Sequence, residues 1–300
     1  MVNDGFEVLK RAWLHVRRNR YLWPVAFVMA LAGGGAQGFS LWAQSPIPRG
    51  LTSANPTHKI GAMICDIAHG NVALEAMFII AGVLMGIAVL ATGAFAQAAA
   101  IDAVSDIENE RPSGLKNALR RAREYFPQIF ALTLGYLLVL AAFAAPLSLF
   151  WRFTGKKGFV FPCFGALILC VGFIVVLILA GIMFELTARY LVLEGKSMRE
   201  SVRLAVALFK DYSRDMLVAW LYAMAITFMG AITMVILITV LATPLSWVFT
   251  VADRHHNVIF VALSASSFAI AWAIASATAG VFSITASSLW TLVFIDMLRK

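Results

Sequence analysis

Charge is what this sequence has least of. Asp, Glu, Lys and Arg together make 13% of its 300 residues and apolar residues make 61%, whereas soluble domains carry about 25% charged residues. So much apolar surface cannot be hidden from water, which excludes a soluble globule and leaves lipid as the solvent for most of the chain. No segment is polar enough to form a separate soluble domain, so residues 1–300 are expected to be a single polytopic membrane domain. Acids are scarcer than bases, 16 against 24, giving a net charge of +8. In a soluble protein that excess would suggest nucleic acid. Here the bases flank apolar runs, so orientation in a membrane and contact with anionic lipid head groups account for them. No basic face is left over for nucleic acid.

Chemical motifs are missing as well. No histidine falls in the middle of an apolar run, which removes any axial ligand for a membrane haem. There is no Walker-type phosphate loop, no GxSxG and no HExxH, so the warrants for an ATPase, an esterase or a zinc protease are absent. No central Pro-Gly break marks a discontinuous transporter helix. The sequence therefore predicts a protein that is not an enzyme and needs no cofactor.

What is present is apolar length. Six runs, at residues 21–42, 72–101, 127–151, 159–193, 216–243 and 258–295, exceed the roughly 18 residues needed to span hydrocarbon. The first follows a basic stretch like a secretory signal, but it is too long for a signal's h-region and is expected to be a retained span. Most of the 24 Lys and Arg fall on one side of these runs; Arg49, Lys59, Arg152, Lys156, Lys157 and Arg254 fall on the other. The positive-inside rule then places both termini in the cytoplasm, with six spans between them.

Three basic, amphipathic stretches each lead into an apolar run: 6–20 (FEVLKRAWLHVRRNR), 113–126 (SGLKNALRRAREYF) and 197–212 (SMRESVRLAVALFKDY). In the first, Phe6, Leu9, Trp13 and Val16 recur at helical spacing; in the second Leu115, Ala118, Leu119, Ala122 and Phe126; in the third Met198, Val202, Ala205 and Phe209. Asp4 with Glu7, Ser113, and the box Ser197 to Glu200 supply helix starts. Wide apolar faces flanked by Lys and Arg suit helices lying on the membrane surface; the alternative is loop helices packed under the bundle. Either placement gives an all-α integral membrane fold of six transmembrane helices. They form three repeats, each a cytoplasmic interfacial amphipathic helix plus a helix pair, at approximately 1–110, 111–195 and 196–300. The second spans of the three units echo one another, ending in Asp102, Glu194 and Asp296.

The run 93–102 (GAFAQAAAID), then Glu110 to Ser113 (ERPS) and 115–118 (LKNA), forms one signature. A second is 188–194 (ARYLVLE), followed by Ser201, Phe209 and Lys210; a third is 288–294 (SLWTLVF). Together they resemble bacterial polytopic proteins of the glycerophosphoryl diester phosphodiesterase membrane-domain type, and related families of unknown function, over most of the chain. The resemblance implies a six-span inner-membrane fold. It does not imply a phosphodiesterase, because in that family the hydrolase is a separate soluble domain that is absent from this sequence.

Glu185 and Arg189 stand inside the fourth span, one turn apart on one face. A carboxylate there costs about 2.5–3.5 kcal/mol to insert and needs a partner or a wet cavity. The pair can serve as an intramembrane polar relay, or as a structural pair with Arg189 reaching to head groups. Glu75, a turn after Asn71, reads as a first-turn carboxylate complementing a helix dipole. His58, Cys65, Asp66 and His69 are metal-ligand types in the 44–71 loop, but no second element completes a site, so no metal is expected. His255 and His256 read as loop residues and His15 as a polar-face residue. Cys65 and Cys163 share the outer side, where a disulfide is possible if their Cα atoms come within roughly 7 Å; Cys170, deeper in the span, is expected to stay reduced.

Packing signals are Gly82 and Gly86, a GxxxG in the second span, and Gly280 in the sixth. The sixth span is rich in Ser and Thr and is expected inside the bundle or against a partner. The function these features imply is a non-enzymatic inner-membrane structural or accessory subunit, with protein partners in a larger membrane complex. The alternative is a transporter or channel for a small solute or lipid, with Glu185, Arg189 and the sixth span lining its path.

Overall fold

The first amphipathic stretch forms α1 (Gly5–Arg18), and a turn closed by Leu22 N–H to Asn19 O at 3.0 Å leads into α2 (Leu22–Met29). A π-helical segment, Ala30–Gly35, continues α2. Then come α3 (Val72–Glu108), α4 (Leu115–Thr154), α5 (Val160–Leu193), α6 (Met198–Arg254) and α7 (Val258–Leu298). These elements are those of a computed structural model, which describes residues 5–35, 72–111, 114–154, 160–254 and 258–299. Among the described residues there is no strand. The 44–71 loop with His58, Cys65, Asp66 and His69, the pair His255 and His256, and the capping residues Asp4 and Ser113 lie outside the described residues. So do the side chains of Cys163 and Glu75, and with them the Cys65–Cys163 bridge.

Helices α3 to α7 are each long and apolar enough to cross a membrane, which makes this a multi-pass membrane protein. In the first apolar run only a shorter helix, Leu22–Ala32, is described. Large apolar side chains point away from the protein along the long helices: Met85 is 67% exposed, Leu138 and Ile168 71%, and Phe228 66%. Water would not tolerate so extensive an apolar surface, whereas hydrocarbon does.

The three amphipathic stretches are all helical, but only the first is a helix of its own. The second runs into its apolar segment as one 40-residue helix through Pro127. An interior proline removes one backbone hydrogen bond and is tolerated in apolar helices, where neighbours satisfy the freed carbonyl. The third continues into α6 across a kink at Tyr212 (φ −124°, ψ 31°). At 1.5 Å per residue, α4 reaches about 60 Å, twice the roughly 30 Å of hydrocarbon, so much of its basic start extends beyond the apolar layer. Ser197 starts α6 as its spacing predicts: its Oγ accepts from the Glu200 N–H at 3.4 Å.

Contacts group the chain into two units. The first comprises Met1–Arg17, Gln97–Met224 and Ser287–Lys300. Its interior is made by residues 98–104 of α3, 186–192 of α5 and 287–292 of α7, all buried. Small alanines on α3 let these helices approach closely, and Tyr190 meets Phe294 edge-on with centroids 4.8 Å apart. Helix α4 packs along α5, where the Tyr136 and Phe184 rings lie 5.2 Å apart. Two helix ends close with left-handed residues. Glu110 (φ 52°) follows α3, with Arg111 N–H donating to Asp106 O at 2.8 Å and Glu110 N–H to Ile107 O at 3.2 Å; this is a Schellman closure. Gly195 (φ 62°) follows α5.

The second unit comprises Arg18–Ala96 and Ala225–Ala286. Its core joins Ala30, Met234, Ile238, Ala275 and Ala279, with Leu237 and Trp272 against them. Glycine sets the spacing here. A Cβ on Gly280 would fall on the Ala26 carbonyl, one on Gly230 would stand 2.7 Å from Phe282 Cβ, and one on Gly93 would stand 2.9 Å from Ala32 Cβ. Gly280 is therefore a packing residue, as its sequence context predicts. At Gly82 and Gly86 nothing among the described residues lies within 4 Å of a Cβ.

Candidate functional site

The first unit gathers most of the charged chemistry that the structure describes. Glu185 and Arg189 are one turn apart on α5, and the guanidinium folds back on its own helix: Nη1 donates to a Glu185 carboxylate oxygen and, at 2.7 Å, to the Glu185 main-chain carbonyl. Nη2 donates to the Ser287 carbonyl of α7 at 2.8 Å. The guanidinium carbon stands 5.9 Å from the Trp290 ring centroid, within cation–π reach. Arg189 is 0% exposed, whereas the Glu185 side chain is 26% exposed. A buried guanidinium costs several kcal/mol unless its hydrogens are satisfied, and here only Nε lacks a partner. The arginine does not reach outward to head groups, as its position near the end of the span suggested. It turns inward and ties α5 to α7.

The Ser287 carbonyl is shared. It also accepts from Thr291 Oγ1 at 3.0 Å, so two side chains from two helices meet on one oxygen. Ser288 and Thr291 are 0% exposed and Ser287 is 7% exposed. The hydroxyl-rich sixth run thus lies inside the protein: 67% of its apolar window is buried, against 6–22% for the other four long helices.

A second set of charges ties the helix ends. Arg11 of α1 donates to Asp296 Oδ2 of α7 at 2.8 Å and lies 3.5 Å from Glu108 of α3. Glu108 also faces His15 Nε2 at 3.7 Å and Arg299 at 3.8 Å. On α4, Arg121 donates to Asp102 at 2.9 Å and to Asp106, one turn further along α3, at 3.1 Å. Two of the three carboxylates that end the second spans are thereby paired. Glu194 is exposed and makes no ion pair among the described residues.

Sequence reasoning found Glu185, Arg189, Asp102 and Asp296 but not Ser287, Trp290, Arg11, Glu108 or Arg121 as their partners. One signal was available. Arg11 and Arg121 occupy the same position, each directly before a buried alanine of its amphipathic helix, Ala12 and Ala122, and each meets the carboxylate of a second span. No group of three or more His, Cys, Asp or Glu able to hold a metal occurs among the described residues. Cys170 is a free, exposed thiol. What this arrangement does chemically is hold helices: guanidinium groups span helix pairs, and their counter-charges are carboxylates and carbonyls of the same protein.

Comparison with protein-family models, with curated proteins and with solved structures finds no match.

Proposed function

We propose that the protein is a structural or accessory subunit of a bacterial inner membrane, not an enzyme, and works within a larger membrane complex. The carrying observation is the enclosed Arg189, whose charge is spent on Glu185, Ser287 and Trp290 inside the unit. A group used for transport would present its charge to a path; this one is consumed by packing. Six spans in three repeats, at approximately 1–110, 111–195 and 196–300, fit this reading. Support comes from the matching positions of Arg11 and Arg121 and of their partners Asp296 and Asp102. The partition of Lys and Arg supports cytoplasmic termini. The resemblance to glycerophosphoryl diester phosphodiesterase membrane domains agrees with a membrane role without catalysis.

One observation favours the transport reading: Glu185 keeps 26% of its side chain exposed within an apolar helix. Purification in mild detergent after cross-linking in intact membranes separates the two. A discrete complex of fixed stoichiometry is the expected result. A lone chain that carries solute into proteoliposomes, and loses that flux on Glu185→Gln, would replace the accessory role with transport.

A further inference from the structure

The three amphipathic helices share more than composition: they share a register of exposure. On α1, Phe6 (71% exposed), Lys10, Trp13 (42%) and Arg17 face outward, while Ala12 and Val16 are buried. On α4, Lys116, Leu119, Arg120 and Arg123 face outward, while Ala118 and Ala122 are buried. On α6, Arg199, Val202, Arg203, Val206 and Lys210 face outward, while Ser201 and Ala205 are buried. Counted from Phe6, Lys116 and Arg199, these residues fall at offsets of 0, 3, 4, 7 and 11; Glu7, Arg18, Asn117, Glu124, Glu200, Ala207 and Asp211 are exposed beside them, at offsets of 1, 8 and 12. At about 100° per residue the first set of offsets falls within one stripe roughly 100° wide.

Each stripe mixes cations with apolar side chains and holds no acid. The acids of the same helices, Glu7, Glu124, Glu200 and Asp211, are exposed too but sit about 90–130° round from the stripe's centre. The cations that do pair internally, Arg11 and Arg121, lie outside the stripes too, turned to Asp296, Glu108, Asp102 and Asp106. Glu7, Glu124 and Glu200 stand one turn from Lys10, Arg120 and Arg203, yet among the described residues none of the outward cations makes an ion pair with a carboxylate. An apolar residue flanked by uncompensated Lys and Arg matches a surface that is anionic outside and oily just beneath.

We infer that these three stripes are one composite docking surface for anionic lipid head groups, with Phe6, Trp13, Leu119, Val202 and Val206 entering the interface and the neighbouring cations binding phosphate. The inference rests on the membrane reading above and assigns the lipid-binding residues within it.

The test uses the full chain, its cysteines replaced by serine, spin-labelled singly at Trp13→Cys, Val202→Cys or Leu138→Cys and reconstituted in vesicles. Vesicles contain either phosphatidylcholine alone or phosphatidylcholine with phosphatidylglycerol. Labels at 13 and 202 are expected to be shielded from a water-soluble relaxation agent severalfold more when phosphatidylglycerol is present. Arg199→Gln with Arg203→Gln should then remove most of the added shielding at 202, on the order of fivefold per cation lost. Full access at 13 and 202 in both lipids, with the label at 138 buried, overturns the docking surface while the membrane reading stands. Equal shielding in both lipids overturns the anionic specificity. Access at all three positions, 138 included, overturns the membrane reading itself.

Discussion

Arg11 and Asp296 are 285 residues apart in sequence, yet Nη2 of one donates to Oδ2 of the other at 2.8 Å. The same relation holds between Arg121 and Asp102 at 2.9 Å. In each case an arginine at the same position of an amphipathic helix meets the carboxylate that ends a second span. The third helix carries Leu204 at that position, and Glu194, the carboxylate of its expected partner span, is left exposed. Two of three equivalent ties are made.

The two ties should differ in strength because their burial differs. Asp102 is 8% exposed and one of its oxygens has no partner, whereas Asp296 is 32% exposed. Arg121→Ala is expected to cost about 1–3 kcal/mol by leaving a buried carboxylate unpaired, and Arg11→Ala about 1 kcal/mol or less. Thermal unfolding in one detergent gives both values; equal losses would contradict the burial argument.

Removing Arg189 should be more damaging than either. Arg189→Met takes away the tie to Ser287 and leaves Glu185 without its cation, an expected loss of about 3 kcal/mol. Arg189→Lys should not rescue it, since an ammonium cannot span Glu185 and Ser287 as the planar fork does. Denaturation midpoints for the two variants test this, and a lysine variant as stable as the parent would show that only the charge matters.

Glycine substitutions should separate the two packing motifs. Gly280→Ala sets a methyl on the Ala26 carbonyl and is expected to cost about 1–3 kcal/mol. Gly82→Ala and Gly86→Ala meet nothing among the described residues and should fall within about 0.5 kcal/mol of the parent protein. A large loss at Gly82 or Gly86, seen only at high protein concentration, would reveal a second chain on that face.

Glu110 offers a stabilising change. It holds a left-handed φ of 52°, which glycine adopts without steric cost. Glu110→Gly is expected to add up to about 1 kcal/mol, read as a raised Tm.

The proposed orientation makes a prediction of its own. A cysteine at residue 299 should be labelled only from the cytoplasmic side, and one at residue 59 only from the outside. Labelling at 299 from outside would overturn both the orientation and the even span count.

Much of the fold was legible because lipid imposes a simple rule: a spanning helix must be long and apolar, and α3 to α7 are. The helical phase of Ala118 and Ala122, or of Ala205, was equally readable, since burial follows period 3.6. The inward position of α7 followed from its hydroxyls. The pairings were not readable, because nothing local to Arg189 names Ser287, 98 residues away. Gly82 and Gly86 are silent for a related reason: a small-residue motif states that a face can be approached closely, not which helix does so.

The oxygen of Ser287 sets a mechanical limit on this protein. It is held by Arg189 from α5 and by Thr291 from its own next turn. Turning α7 by a single residue would swing that carbonyl through about 100°, and sliding it by one turn would carry it about 5.4 Å away. Either movement would break the Arg189 tie to α7 and leave the buried guanidinium only Glu185 of its own helix. Helices that ratchet or rotate between two states must find a new partner at each stop, and Arg189 is held to one carbonyl of α7 at this one. In the first unit α5 and α7 therefore act as a locked shaft.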